Sequence, residues 1–438
     1  MPSALQVLGW WSRPTAFLER CRIRYGPRFT LRMGPPGPFV VVSAPDEIRQ
    51  VFLAPPDVLH FGPGGAKIQS LTGPRSVFTL DEDRALAQRK LLLPPMHGEA
   101  LERFSHVMAR IAEAEVDSWP QGTVALHPRL HRLTLMVMER FIFGSDLRGR
   151  LALLRDFLTE MLDFALSPLS LAPIHSLPYG AQRLLRALPA LGVARFLEQR
   201  TRVLQLVAEL IEDRRRSDST HDGLLTLLLS TKHEDGSPLS LVELSDVIMD
   251  MYVAGVETTS SALAWVAERL AREPAVQSRV FDEMHDVSDD SYLTATVHEV
   301  LRLKPIIPTV VPRMVKEPIE IGGVLYRPGV SLFPCAHLLH RDPVIYPEPY
   351  NFRPERFLEN PPNTYTWIPF GGGRRRCPGA SLALVEMKIV LRAMLTRWKL
   401  HRASGDVEAP RHRSVTITPI RGGRVVLTPR RPAEPTTA

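Results

Sequence analysis

The sequence predicts a mainly α-helical protein with small β-sheets, an α+β fold. Long runs of helix-forming residues fill the middle of the 438-residue chain, whereas β-type residues occur in short runs in the first hundred residues and the last third. No Gly/Ser linker, charge block or internal repeat divides the chain. We therefore expect one large domain over residues 1–429 and a disordered tail over residues 430–438.

The strand signals are short apolar or alternating segments bounded by glycine and proline. RFTLRM at residues 28–33 and FVVVSAP at residues 39–45 are separated by GPPGP. IEIGGVLYRPGVSLFP at residues 319–334 alternates in the manner of a hairpin. SVTITPIRGGRVVL at residues 414–427 predicts a last pair of strands.

The strongest helix signal covers residues 239–274, where apolar residues occur on more than one face. This pattern is typical of a central, buried helix. TATVHEVLRLKP at residues 294–305 and SLALVEMKIVLRAML at residues 381–395 predict two further helices. The 40 prolines, several of them beside predicted helices, favour short ordered connections.

Residues 370–380, FGGGRRRCPGA, place one cysteine in a glycine-rich loop ahead of an apolar helix. Glycines allow a tight turn whose N–H groups can point at the sulfur of Cys377, and the start of the helix also favours a thiolate. Arg375 is placed to meet a carboxylate such as a haem propionate. A lone cysteine is more often a small buried apolar residue, so the loop alone leaves both interpretations open.

The same loop fits F-x-x-G-x-[RH]-x-C-x-G, and on these residues the chain resembles the cytochrome P450 family. The resemblance implies haem b (iron protoporphyrin IX) with Cys377 as the axial ligand of the iron. It also implies the single-domain P450 fold, with the haem between a long central helix and the helix after the cysteine loop. The loop residues implied to contact the cofactor are Phe370, Gly371, Arg375, Cys377 and Gly379.

Glu299 and Arg302 lie three residues apart in the predicted helix 294–305, where they can pair. Such pairs are common in helices and carry little meaning alone. Upstream of a P450-like cysteine loop, the resemblance implies that they join Arg356 of NFRPERF in a buried network. We expect these three residues to be structural.

Ala254, Gly255, Glu257 and Thr258 spell A-G-x-E-T in the central helix. Small residues leave room beside a flat cofactor, Thr258 can hydrogen-bond to a reacting oxygen, and Glu257 can relay protons from solvent. The alternative is an ordinary core helix in which Thr258 bonds back to a carbonyl and Glu257 bonds to a neighbour. The resemblance implies that Glu257 and Thr258 are catalytic and that Ala254 and Gly255 bind the cofactor.

Two more arginines are implied at the haem propionates by the resemblance. Arg89 precedes a run of leucines, and Arg313 follows the helix 294–305. Many bacterial members have a histidine four residues before the first of these arginines, where this chain has Ala85. Arg84, next to it, is the candidate replacement.

The substrate pocket implied by the family layout is mainly aliphatic, which predicts a hydrophobic guest with few polar anchors. A terpenoid, a steroid or a fatty acid fits this description. The apolar segment at residues 158–180 is expected to form a lid or channel wall. The candidate pocket residues are Tyr252, Val253, Thr309, Val310 and Thr416.

The N-terminal sequence and the cysteine content favour a cytoplasmic protein. The apolar patch in MPSALQVLGWWSRPTAF is far shorter than the ~20 residues that span a bilayer, and no secretory signal follows the usual pattern. Three cysteines are an odd and sparse set, which disfavours disulfides and favours a reducing compartment. We expect no membrane span, and a monomer.

A net charge of +7 raises the question of a nucleic-acid partner. The arginines are scattered among acidic residues without an aromatic-interleaved basic stripe, which disfavours that partner. Arg374 and Arg376 instead form a candidate docking face for an acidic redox protein, with Arg375 turned inward. The resemblance implies a ferredoxin or flavodoxin with its NAD(P)H-dependent reductase.

The predicted function is therefore a bacterial haem-thiolate monooxygenase that hydroxylates a hydrophobic small molecule with O2. Three alternatives remain: a peroxide-driven peroxygenase, a tailoring oxidase of a polyketide or peptide natural product in secondary metabolism, and a haem-binding protein without turnover. Glu257 and Thr258 argue against the first, because peroxygenase relatives replace this pair. They argue against the last, because a protein without turnover does not need them.

Overall fold

The structure, a computed structural model, describes residues 2–33, 37–61, 68–80, 82–144, 150–165, 192–216, 223–285, 289–413 and 415–430. Helices account for most of these residues, and the strands form small separate sheets. The predicted mainly helical fold with small sheets is confirmed. Most of the segment 158–180, the predicted lid, lies outside the described residues.

The helices vary from single turns to one of 32 residues. In chain order they are α1 Ser3–Ser12, α2 Pro14–Tyr25, α3 Pro45–Leu53, α4 Gln69–Thr72, α5 Glu82–Leu92, α6 Gly98–Asp117, α7 Leu126–Phe143, α8 Arg150–Ala165, α9 Val193–Arg216, α10 Leu224–Ser230, α11 Leu241–Arg272, α12 Pro274–Glu283, α13 Ser291–Leu303, α14 Ala336–Leu339, α15 Arg356–Glu359 and α16 Ala380–Arg397.

The central helix α11 begins at a capping box. The Ser240 side chain accepts the N–H of Glu243 at 3.2 Å, and the Glu243 carboxylate accepts the N–H of Ser240 at 2.9 Å. Two N–H groups that have no partner within the helix are thereby satisfied. The helix ends at Arg272, two residues before Pro274, because proline cannot continue a helix but is well suited to start α12.

Almost the whole of α11 is buried, as its sequence predicts. Its most extensive helix contact is with α7, and α4, α9, α13 and α16 also pack against it. Trp265, fully buried, donates its indole N–H to the carbonyl oxygen of Ile417 at 3.3 Å. The main hydrophobic core therefore surrounds α11, with each fully buried large apolar side chain contributing about 1.5–3 kcal/mol.

The largest sheet has five strands in the order β1-β2-β8-β5-β3. Within it, β2 runs parallel to β8 and the other neighbouring strands are antiparallel. The predicted strands near residues 28–42 and 319–334 are present. The strands are β1 Arg28–Leu31, β2 Phe39–Val42, β3 Leu59–His60, β4 Gly122–Ala125, β5 Arg313–Val315, β6 Ile319–Ile321, β7 Val324–Tyr326, β8 Ser331–Pro334, β9 Trp398–Arg402, β10 Pro410–Arg413, β11 Thr416–Pro419 and β12 Arg424–Pro429.

The prediction that residues 414–427 form a strand pair is wrong in its pairing. Strand β11 pairs with β10, whereas β12 lies between β4 and β9. The cause is the buried carboxylate of Glu408, which accepts the N–H groups of Arg421, Gly423 and Arg424 at 2.8, 3.4 and 2.6 Å. The chain between β11 and β12 wraps around this carboxylate, so it does not close a hairpin.

Arg430 is the last described residue and the first residue of the predicted disordered tail. Arg430 donates its N–H to the carbonyl oxygen of Arg397 at 3.0 Å, and its guanidinium lies 3.6 Å from the centre of the Phe281 ring. The remaining predicted tail, residues 431–438, lies outside the described residues. Among the helices in the described part of the chain, none is both long enough and apolar enough to cross a bilayer.

Candidate functional site

The cysteine loop approaches α3 so closely that two of its positions accept only glycine. Gly373 has φ +63°, and a Cβ built there would lie 2.3 Å from the carbonyl oxygen of Phe52. A Cβ on Gly372 would lie 2.2 Å from the Phe52 ring. The N–H of Cys377 donates to the carbonyl oxygen of Phe370 at 2.9 Å, which closes the loop just before α16.

Cys377 keeps substantial accessible surface, yet burial raises the pKa of its thiol. Exposure and a raised pKa are compatible if the accessible surface of the sulfur faces a space enclosed by protein and not bulk solvent. The N–H of Gly379 and the charges of Arg89 and Arg376 lower the pKa, but they do not outweigh burial. A cation bound at the sulfur would favour the thiolate.

Four residues in the middle of α11 form a partly exposed face. From residue 244 to residue 268 every side chain of the helix is buried except those of Val253, Ala254, Gly255 and Thr258. Because this part of α11 is enclosed by other elements, the surface that these residues keep accessible is internal. Gly255 lies on the side of α7, where a Cβ would stand 3.0 Å from the sulfur of Met138. The helix after Cys377, α16, packs directly against α11.

Thr258 donates its hydroxyl proton to the carbonyl oxygen of Ala254 at 2.6 Å. The sequence analysis gave this hydrogen bond to a carbonyl as the alternative to a catalytic role, the one expected in an ordinary core helix. Since the proton is used, the oxygen of Thr258 is left as a hydrogen-bond acceptor towards the internal space.

Glu257 lies at the centre of a buried cluster of polar groups. Its Oε1 lies 3.6 Å from Nε2 of His127 and 3.5 Å from Nε of Arg413, and it accepts the hydroxyl of Ser261 at 3.4 Å. Its Oε2 lies 3.9 Å from Nε2 of His131 and has no hydrogen-bond partner within the described residues. The carboxylate thus bridges α7, α11 and β10.

The electrostatics of this cluster keep Glu257 ionised although it is only 2% exposed. Burial, the largest single influence, raises the pKa of Glu257, but the close approach of His127 and the charges of Arg413 and His131 together lower it below its usual value. Burial lowers the pKa of His131, against the attraction of Glu257.

Two arginine side chains, those of Arg89 and Arg375, form hydrogen bonds at the cysteine loop. Arg89 on α5 donates to the carbonyl oxygen of Arg376 at 2.7 Å, and burial lowers its pKa while Cys377 raises it. Arg375 donates to the carbonyl oxygens of Val77 and Leu80 at 3.2 and 3.4 Å. In the described residues no carboxylate lies within 4.0 Å of Arg89, so this partly buried guanidinium could accept one from a ligand.

Arg313 is buried at the start of β5, where it donates to the carbonyl oxygen of Val311 at 3.0 Å. Ala85 is buried on α5, whereas Arg84 is exposed. Because residues 84 and 89 differ by 140° around the helix axis, Arg84 points away from the side of Arg89. The structure therefore does not support Arg84 as the replacement for the absent histidine.

Glu299, Arg302 and Arg356 meet in a buried network. Arg302 binds both carboxylate oxygens of Glu299, at 2.7 and 2.9 Å, and Arg356 binds Oε1 at 3.1 Å. Arg302 also donates to the carbonyl oxygens of His340 and Pro349, both at 2.7 Å. The network joins α13 to the chain that precedes α15.

The candidate pocket residues divide into two groups. Val253 is part of the partly exposed face of α11, Thr309 is partly buried, and Val310 lies 3.3 Å from where a Cβ on Gly371 would stand.

Tyr252 and Thr416 belong to the second group, which is buried away from that face. Tyr252 is fully buried, and burial raises the pKa of its hydroxyl, with smaller influences from Glu139 on α7 and Arg155 on α8. The structure therefore does not support contact with a guest. Thr416 donates to the carbonyl oxygen of Arg413 at 3.0 Å, which ties it to β10.

The sequence analysis missed the groups around Glu257. His127 and His131 lie four residues apart on α7 and Arg413 lies on β10, while Asp163 on α8 binds Arg413 at 2.7 Å. Only the spacing H-P-R-L-H on a helix signals a shared face, and nothing local links it to α11.

The family model of cytochrome P450 matches residues 2–426 of this chain. The chain is a cytochrome P450. Two relatives from Mycobacterium tuberculosis are similar along almost the whole length of this P450. Cytochrome P450 135B1 is 33% identical over 416 residues, which cover 93% of this chain and 86% of that protein. Cytochrome P450 138 is 32% identical over 429 residues, which cover 97% and 94%.

A solved structure shares the fold of this P450. The retinoic acid-bound cyanobacterial CYP120A1 superposes with a TM-score of 0.82 at 22% sequence identity, covering 96% of both chains. Members of the family are monooxygenases that bind haem b through a cysteine thiolate and receive electrons from a redox partner. This P450 is accordingly a haem-dependent monooxygenase.

The residues present fit haem b. The sulfur of Cys377 faces an enclosed space. Burial there raises the pKa of the thiol, and a bound cation such as iron would stabilise the thiolate. Arg89 offers a guanidinium that no described carboxylate neutralises. The small residues Ala254 and Gly255 leave accessible surface on the neighbouring helix.

Proposed function

We propose that this P450 inserts one oxygen atom from O2 into a hydrophobic small molecule, with electrons from a ferredoxin or flavodoxin and its NAD(P)H-dependent reductase. Terpenoids, steroids and fatty acid-like compounds are the expected substrate classes. The observation that carries the proposal is the internal face formed by Val253, Ala254, Gly255 and Thr258, which is apolar except for one hydroxyl. Such a face favours an apolar guest with few polar anchors.

In this proposal Cys377 would hold the haem iron through its sulfur, and Arg89, Arg313 and Arg375 would bind the two propionates. Haem b, when bound, supplies the activation of O2 and the oxidation of an unactivated carbon. The chain's own contribution is to hold the cofactor and exclude water. The remaining residues assigned to the cofactor's surroundings are Phe370, Gly371, Gly379, Ala254 and Gly255.

The proton path of the proposal runs through Glu257 and Thr258. Glu257 can carry a proton at either carboxylate oxygen, and Oε2 is the one without a hydrogen-bond partner in the described structure. Thr258 Oγ1, which donates a hydrogen bond to the carbonyl oxygen of Ala254, can accept a hydrogen bond from a polar group on the internal face. The two side chains differ by 100° around the helix axis, so a proton must cross from the buried carboxylate of Glu257 to the side of α11 on which Thr258 lies.

In this proposal the network of Glu299, Arg302 and Arg356 has a structural role and does not contact the substrate. Val253, Thr309 and Val310 are the proposed pocket residues. We assign the whole chain to residue 429 to one haem-thiolate domain, which the family match over residues 2–426 supports.

An optical titration of the purified ferric holoenzyme with panels of terpenes, steroids and fatty acids tests the substrate class. A saturable low-spin to high-spin shift with one panel would support that class, because the shift reports a guest bound close to the haem iron. No shift with any panel, in a protein with an intact thiolate-type carbon monoxide spectrum, would refute the hydrophobic substrate. Polyketides and peptides would then be tested.

A reductant test separates the proposed activity from its alternatives. Product that forms with the reductase system, and not with hydrogen peroxide alone, supports the monooxygenase. Equal product with peroxide alone would indicate a peroxygenase. Binding without product under both conditions would indicate a haem protein without turnover.

A further inference from the structure

The histidine pair on α7 places two titratable side chains beside Glu257. Arg413 also lies 3.5 Å from Glu257, but it binds Asp163 more closely, at 2.7 Å, so its charge is shared between two carboxylates. His127 and His131 add two groups that can each carry a positive charge, at 3.6 and 3.9 Å. Their rings lie 6.2 Å apart, centre to centre, and both face the same carboxylate.

We propose that His131 supplies protons to Glu257 and that His127 holds the Glu257 carboxylate in position. This inference rests on the proposed role of Glu257 in the monooxygenase. His127 is the positioning residue, since its Nε2 also lies 3.2 Å from the hydroxyl of Ser261, which donates to the same carboxylate oxygen. His131 is the proton donor, since it faces Oε2.

The charged groups around Glu257 define a route to solvent. Arg413 lies between Glu257 and Asp163, which it binds at 2.7 Å. The Asp163 side chain is 68% exposed, and its charge also raises the pKa of His131. The exposed fraction of the side chain falls from 68% at Asp163 to 13% at His131 and 2% at Glu257, and Arg413 contacts Asp163 and Glu257.

The transfer conserves protons and charge. Protonated His131 gives the proton on Nε2 to Oε2 of Glu257, which produces a neutral imidazole and a neutral carboxylic acid. The acid passes that proton on towards Thr258 and becomes a carboxylate again. The neutral His131 keeps its Nδ1 proton, so its ring must rotate away from Glu257 for Nε2 to take up a new proton from solvent. The separation of 3.9 Å exceeds a hydrogen bond, so the transfer requires a small rotation of either side chain.

The test measures whether His131 and Glu257 share a titration. Ring resonances of labelled histidine are followed against pH in the ferrous carbon monoxide form of the holoenzyme, and the signal of His131 is assigned by its loss in His131→Asn. We expect the pKa of His131 to fall by ~1–3 units in Glu257→Gln, because the neighbouring negative charge is removed. An unchanged pKa of His131 in Glu257→Gln would overturn the proposal.

A second measurement tests proton supply during turnover. In the wild type, product formed per NADPH should decline as pH rises through the pKa of His131, and in His131→Asn this decline should be absent. His127→Gln should keep the decline but lower the yield at every pH. His106→Asn, an exposed histidine on α6, is the matched control. Identical pH profiles in wild type and His131→Asn would contradict the proton-donor role.

The two proposals fail in different ways. If the wild type forms no product with any guest and reductant, the proposed function fails, although the response of His131 to Glu257→Gln can still be measured. If product forms but the two titrations are independent, only the histidine relay fails. A thiolate-type carbon monoxide spectrum in each variant confirms that the fold is retained.

Discussion

Glu299 holds two arginines that have no other carboxylate partner within the described residues. All three groups are buried, and Arg302 is fully enclosed. Removing one member of a buried ion network leaves charges without compensation, which costs far more than the loss of an exposed pair. The stability of the region around α13 therefore depends on a single carboxylate.

Glu299→Gln is expected to destabilise the protein by about 3–5 kcal/mol, because Arg302 and Arg356 would remain buried without a counter-charge. Chemical unfolding of the holoenzyme and its haem content measure the effect. Glu359→Gln removes the exposed partner of Arg353 and is the control, with an expected change of about 0–1 kcal/mol. Equal losses in the two variants would refute the buried-network argument.

Thr258→Ala is expected to divert electrons from product to peroxide, because the hydroxyl beside Glu257 is lost from the internal face. Product formed per NADPH should fall by up to about 10²-fold, the lower end of the effect of a positioned acid–base group. The amounts of NADPH, product and peroxide are measured together. Thr258→Ser keeps the hydroxyl and should retain most of the coupling; unchanged coupling in Thr258→Ala would remove this residue from the proton path.

Sequence reasoning found the site residues whose partners are close along the chain. Cys377 lies inside its loop signature, and Glu299 and Arg302 are one helical turn apart. It missed His131 and Arg413, because the groups around Glu257 come from elements separated by more than a hundred residues. It also placed Tyr252 in the pocket together with Val253. Successive residues of a helix differ by 100° around its axis, and Tyr252 is fully buried whereas Val253 is partly exposed.

The cysteine loop shows how an element depends on the neighbour that it touches. Gly373→Ala would place a Cβ 2.3 Å from the Phe52 carbonyl and force a residue with φ +63°, which alone costs roughly 1–2 kcal/mol. We expect a lower unfolding temperature and loss of bound haem. Gly405→Ala, where a Cβ meets no atom within 4 Å, should have little effect. Retention of both stability and haem in Gly373→Ala would contradict the close packing on α3.

The segment before α5 is tied to α11 by two acids. Asp250 accepts the hydroxyl of Ser76 at 2.5 Å and the N–H of Val77 at 2.9 Å, and Asp246 accepts the N–H of Arg75 at 2.7 Å. The same segment supplies the carbonyl oxygens that bind Arg375. The tether therefore connects the central helix to the surroundings of the cysteine loop.

Burial raises the pKa of Asp250 to about 8 from 3.8. The folded protein then keeps this proton at pH values where the unfolded chain has lost it, so stability should fall as pH rises from 3.8 to about 8 and then level off. Asp250→Asn should reduce this slope in urea unfolding measured across that range. Asp57→Asn, at an exposed site, should leave it unchanged. An equal slope in wild type and Asp250→Asn would refute the raised pKa.

At the scale of the element, the existence of β11 and β12 was predictable, since alternating residues indicate strands. Their partners were not predictable, because the buried carboxylate of Glu408 redirects the connecting chain. For the whole molecule, the mainly helical fold followed from the helix-forming runs and the cysteine loop.

The net charge of +7 and the exposed side chains of Arg374 and Arg376 bear on the encounter with a redox partner. Replacing both with glutamate should slow reduction by an acidic partner by ~10-fold or more at low salt, with a smaller effect at high salt. Stopped-flow reduction measures the rates. Arg20→Glu with Arg24→Glu changes the net charge equally on α2 and is the control. Equal rates in the two double variants would locate docking elsewhere.

The five-stranded sheet also sets an order for folding during synthesis. Val42 lies opposite Pro334, and Phe39 opposite Ser331, in the parallel pair of β2 and β8. About 290 residues separate the paired strands, which a ribosome making ~5–20 residues per second needs ~15–60 s to produce. During that time one edge of β2 has no partner strand, and an open strand edge invites pairing with other chains. Slower translation would lengthen this exposure, so the yield of folded enzyme should respond to codon usage between β2 and β8.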